Sequence, residues 1–167
     1  MMFGMTYDQI VNDYKGGDVD IKFDKLTEFK DCPQHITGYF ACWMTPLTSL
    51  VGGPQRVDGK YLFSRTEVSS LDGCASYIGD TLNFQETKVS SLVGIHKIIK
   101  HCPEITFDGK NIIEGGIGML LIDGLSCITA HTEPFYIIEK YLGSGAKGMM
   151  ECSKELISRG YEAYAKL

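Results

Sequence analysis

The chain reads as a mixed α/β protein: a short solenoid of parallel strands, closed by helices at both ends. Two observations carry that expectation. Side-chain types recur every 21 residues through the first hundred residues, and the recurrence gives way at each end to helix-like patterns. A fixed period of this length means that one unit cannot bury its apolar face alone and stacks on the next.

The columns are explicit. Leu26, Leu47, Val68 and Val89 form one, and Phe29, Leu50, Leu71 and Leu92 form another three residues on. Ile36, Val57, Ile78 and Ile99 make a third, and Ile21, Cys42, Phe63, Phe84 and Ile105 a fourth. Val19, Phe40, Tyr61 and Leu82 make a fifth, while Gly52, Gly73 and Gly94 keep register with Thr45, Thr66 and Thr87. Phe40 and Cys42 flank Ala41, and Tyr61 and Phe63 flank Leu62. Alternation of that kind is a strand with one face in the core. Equivalent strands one period apart then run parallel, and the glycine column supplies a turn with positive φ. Steps such as Leu47-Thr48-Ser49-Leu50 give the unit a leucine-rich-repeat character, with four to five repeats over residues 18–100.

Residues 1–17 read as an N-terminal helical cap. Thr6 and Gln9 are spaced for a capping box, Met5 and Ile10 for a hydrophobic staple, and Gly16-Gly17 for the stop. The period breaks after His101, and within 101–131 the segments Ile105–Phe107 and Met119–Ile122 read as irregular terminal strands. Residues 132–167 read as a two-helix cap. Pro134 stands in the first turn of one helix, with Ile137, Ile138 and Tyr141 on its inner face. The other begins near Lys147, with Met149, Cys152, Leu156 and Ile157 on its apolar side, and stops at Gly160. Without a linker, residues 1–167 are one domain.

The balance of 44% hydrophobic and 22% charged residues is that of an ordinary globular chain. A net charge of -5 argues against nucleic-acid binding, which needs a basic face. Six cysteines lack any C-x-x-C pair, and Cys42 stands in an apolar column, so they read as buried hydrophobes in a reducing compartment, without disulfides. The start lacks a basic signal-like region, and the longest apolar run, 116–125, contains Asp123. A cytoplasmic protein without membrane contact is expected.

Phe40-Ala41-Cys42, Leu47-Thr48-Ser49-Leu50, Gly52, Pro54, Val57 and Gly59 resemble a repeat found in small leucine-rich-repeat-like proteins of tailed bacteriophages. The next two units resemble it in outline. Tyr141-Leu142, Cys152, Glu155-Leu156-Ile157, Gly160 and Tyr164-Ala165 are similar to a tail common among them. The resemblance covers roughly residues 18–100 and 135–167. It implies a viral protein made inside a bacterium, and it implies no reaction.

Several residues invite chemistry. His101, Cys102, Cys127 and His131 are zinc-ligand types, but neither C-x-x-C nor H-x-x-x-H spacing is present, and we expect no metal. Cys102 with His131 as a nucleophile pair lacks support of the same kind. Gly115-Gly116-Ile117-Gly118 lacks the Lys-Ser/Thr of a phosphate loop and reads as a turn between strands. Asp18 and Asp20 share a strand face without further ligands, and residues 96–101 read as the polar side of a turn. The expected role is therefore non-enzymatic: a factor that binds a host protein, without cofactor. The outward strand faces place Trp43, Tyr39 and Leu62 together as the partner-binding patch, with Lys60 and Arg65 as its charged rim. The alternatives are assembly by self-association and an enzyme with a site in 101–131.

Overall fold

The computed structural model describes residues 2–3 and 6–167, and among these every pairing of named strands is parallel. A seven-stranded main sheet runs in the order Met2–Phe3, Val19–Asp20, Phe40–Ala41, Tyr61–Leu62, Thr81–Asn83, Glu104–Thr106 and Cys127–Thr129. A second sheet joins His35–Ile36, Arg56–Val57 and Tyr77–Ile78, and a third joins Ser91–Leu92 to Glu114–Gly115. Val19, Phe40, Tyr61 and Leu82 are register partners in turn, so residues one period apart are neighbours in space. The fold class is thus mixed α/β with parallel strands, as the repeat predicts.

The turn that leaves each main-sheet strand has a local cause. Thr45, Thr66 and Thr87 are buried, and each hydroxyl donates to the carbonyl three residues back, at 2.8, 2.8 and 2.9 Å. Such bonds replace strand pairing with a turn. The residue before each threonine is left-handed: Met44, Arg65 and Glu86 have φ of 57°, 55° and 53°. Away from glycine that conformation costs about 1–2 kcal/mol, so the packing of successive turns must hold it.

Inside, the aromatic columns meet. Tyr7, Phe29, Phe40, Tyr61, Phe63, Phe84, Phe107, Phe135 and Tyr164 form a continuous series, with successive ring centroids 4.8–6.0 Å apart. The series links the N-terminal helix α1 (Tyr7–Asp13) to the C-terminal cap through one core.

The repeat lengthens where the sequence suggested that it ends. Ile105 pairs with Leu82 rather than following Phe84, and Ile128 pairs with Ile105. The added residues include a helical turn, α2 (Ile95–Ile98), so Tyr77 bridges to His101 and Ile99 does not continue the Ile78 column. Residues 101–131 accordingly carry two more strands of the main sheet and are not an irregular end. Residues 119–122 are not a strand either: Ile117–Leu121 is a 3-10 helix. Gly115 and Gly116, both at positive φ, swing the chain from the third sheet into that helix, so the glycine-rich segment does not join two strands.

Both caps form. Gln9 N donates to Thr6 Oγ1 at 3.4 Å and Thr6 N to Gln9 Oε1 at 2.9 Å, completing the capping box. Met5, the other half of the expected staple, lies outside the described residues. The strand Met2–Phe3, beside Val19–Asp20, was not apparent in the sequence. At the other end α3 (Glu133–Glu139) and α4 (Gly145–Ser158) close the core. Glu139 Oε1 accepts from Ile128 N at 3.3 Å, occupying a donor of the last strand. On α4 the buried stripe is Gly148, Cys152 and Leu156, while Ile157 is 56% exposed. One residue past Leu156 lies about 100° round the helix, outside the stripe.

Candidate functional site

Because Phe40 and Tyr61 are inward register partners, Tyr39 stands beside Lys60 and Trp43 beside Ser64 on the outer face of the main sheet. Tyr39, Trp43 and Leu62 are half-buried there, and Lys60 and Arg65 are exposed. Ala41 points the same way but is buried, so it is not an open rung.

The patch reaches one repeat further than expected. Phe23, 64% exposed, lies 6.0 Å from the Trp43 ring at 45°, and Lys22 Nζ is 5.7 Å from the Trp43 centroid. Phe23 belongs to the left-handed series, with φ of 63°, one period before Met44. That periodicity was the signal available for it in the sequence. A strained non-glycine position beside a half-buried tryptophan is the kind of place where function concentrates. Lys22 also pairs with Asp20 at 3.5 Å, and Asp18 Oδ1 accepts from Tyr39 N at 3.0 Å, so both aspartates serve the rung itself. Partial burial, then Asp20 and Asp18, raises the Tyr39 pKa, keeping the phenol a neutral donor. Arg65 binds Glu86 Oε1 at 2.9 Å, which makes it one arm of a rim ion pair.

A second group lies on the second sheet. The Arg56 guanidinium sits 3.9 Å over the Tyr77 ring, and Tyr77 stacks on His101 at 4.7 Å. Asp58 bonds His35 Nε2 at 2.8 Å and Arg56 Nε at 2.7 Å, while His101 Nδ1 lies 3.1 Å from Asp123. His35, then Arg56, holds the Asp58 carboxyl below its ordinary range. The polar groups of this ladder satisfy one another.

The cysteine and histidine candidates stay apart. Cys102 is fully buried with Sγ 3.1 Å from Glu104 O, and burial pushes its thiol up to about 11. A thiol so disfavoured as thiolate makes a poor nucleophile. Cys127 faces outward beside Glu104, His131 is exposed, and His101 belongs to the ladder. Among the described residues no group of three or more His, Cys, Asp or Glu is placed to hold a metal. All six cysteines are free thiols.

In residues 96–101 one group is placed to sense pH. His96 Nδ1 is buried without a hydrogen-bond partner among the described residues. Burial, then Lys97 and Lys100, lowers its pKa from 6.5. Above 6.5 both folded and unfolded chains carry it neutral, and its environment has no pH cost. Below 6.5 the unfolded chain binds the proton first, so stability falls with pH until the folded state protonates too. Thermal melts from pH 7.5 to 5.5 should therefore show a decline that His96→Gln reduces. Equal slopes in both proteins would contradict this placement.

Comparison with family models, curated proteins and solved structures finds no match. Among the described residues no helix is long and apolar enough to cross a membrane.

Proposed function

We propose that the chain is a non-enzymatic protein-interaction module, a short solenoid of leucine-rich-repeat type, acting in a host cytoplasm. The bacteriophage resemblance suggests a host protein as partner, bound so as to inhibit or redirect it. The observation that carries this reading is the outward cluster of Phe23 and Trp43, with Tyr39 and Leu62 beside it, on a hydrogen-bonded sheet. Aromatic side chains on a rigid surface supply contact area at low entropic cost and dominate binding hot spots. Lys60 and the Arg65–Glu86 pair form the rim, where charge steers encounter more than it holds the complex.

The test is capture from bacterial lysate by the wild-type chain and by Trp43→Ala. The variant should keep its far-ultraviolet circular dichroism and lose the captured protein, a loss of about 2 kcal/mol or more in binding. A variant that unfolds, or that captures as well as wild type, would remove the patch assignment. A second reading, self-association through the C-terminal cap, is favoured by Met150, Ile157 and Leu167, which are 62%, 56% and 49% exposed. A mass that rises with concentration in light scattering, and falls back in Met150→Ser, would select it.

A further inference from the structure

We infer that the sheet face takes an extended basic segment of a partner protein, with an apolar anchor on Trp43 and a lysine or arginine four residues along. This inference rests on the proposed interaction role and adds the partner's chemistry. Charge left unanswered on the sheet face points to a basic partner. Near the aromatic cluster Asp20 and Glu86 are neutralised by cations, Lys22 and Arg65, while Asp18 only accepts from the Tyr39 amide. Three repeats further along the same face, Glu104 and Asp108 form no ion pair among the described residues, and neither does Asp80 beside them. Thr81 donates to both Asp80 and Glu104, at 2.8 and 3.3 Å, and Glu86 N donates to Asp108, so the acidic group is held in place without being neutralised.

The spacing follows from the register. Leu82 is the partner of Ile105 and Tyr61 of Phe40, so Asp108 is three strands from Trp43 on one rung, and Glu104 three strands from Tyr39 on another. Parallel strands lie about 4.8 Å apart, so anchor and acid are separated by about 14 Å. An extended chain covers that in about four residues at roughly 3.3 Å each. On the Trp43 rung the face between them carries uncharged Ser64 and Gln85, with Asn83 alongside. Lys60 lies beside Tyr39 at the anchor end, away from the acidic end where the segment's cation would sit. A cation at the far end meets uncompensated carboxylates, whereas an acidic segment meets like charge.

Trp43 is the chain's single tryptophan, so its emission reports on the anchor site directly. The probes are three blocked peptides: two leucines, three serines and then lysine, glutamate or serine. At low ionic strength the lysine peptide should shift the emission at about tenfold lower concentration than the glutamate peptide. The contrast should collapse in Glu104→Gln/Asp108→Asn and persist in Glu151→Gln/Glu162→Gln, which removes the same charge from the helical end. Equal responses to all three peptides would overturn the basic-segment inference while leaving the aromatic patch standing. No response to any of them would also overturn it, and the Trp43→Ala capture experiment would then decide the interaction role by itself. A contrast that both double variants abolish would mean only bulk attraction to an acidic protein, and the inference would fall.

Discussion

Phe84→Ala should cost about 3–5 kcal/mol, a large share of what holds a domain of this size together. Phe84 is 2% exposed and is stacked on both sides: Phe63 at 6.0 Å and 13°, and Phe107 at 5.1 Å and 6°. It stands where the 21-residue spacing passes into the longer repeats, so its ring is the contact that carries the aromatic series across that change. Truncation removes transfer free energy and leaves a cavity between two rings fixed by their own strands, which limits collapse. Urea unfolding measures the loss as a fall in midpoint at constant slope. Tyr136→Ala, at a residue 51% exposed on α3, should stay within about 0.5 kcal/mol and serves as the comparison. A Phe84→Ala loss under about 1 kcal/mol would mean that the stacks are not the core of the repeat.

Gly73→Ala should destabilise by at least about 2 kcal/mol more than Gly94→Ala. Both glycines are left-handed, with φ of 83° and 77°, so both substitutions carry the penalty of about 1–2 kcal/mol for a β-carbon in that region. They differ in what the β-carbon meets. At Gly73 it would lie 2.6 Å from the backbone N and Cα of Val51, one repeat away, whereas at Gly94 the nearest atom is the flexible Lys97 Cδ at 3.9 Å. Gly73→Ala must push neighbouring repeats apart or fail to fold, and Gly94→Ala need only accept its φ. Paired thermal or urea melts separate the two. Equal losses would show that the close approach of repeats at Gly73 is absent.

What the sequence by itself determined is whatever depends on identity at fixed spacing. Val19, Phe40, Tyr61 and Leu82 share one column, and only a parallel pairing in that register sends all four inward together. Thr6 and Gln9 define the start of α1 because capping is a matter of three residues. Parity alone put Tyr39, Trp43 and Leu62 on the outer face. Tertiary structure decided what parity leaves open. Ile105 and Phe107 are both apolar and two apart, so either could follow Phe84, and strand pairing selected Phe107 once α2 had taken up the extra residues. Ala41 is outward yet covered, Phe23 is apolar yet exposed, and Ile157 falls just off the stripe that Leu156 occupies, because burial depends on what packs alongside. The same holds for charge. Composition gives the acidic balance, but which carboxylates remain unpaired depends on which cations come within reach, and only the folded chain brings Arg65 to Glu86 and leaves Glu104 and Asp108 without one among the described residues.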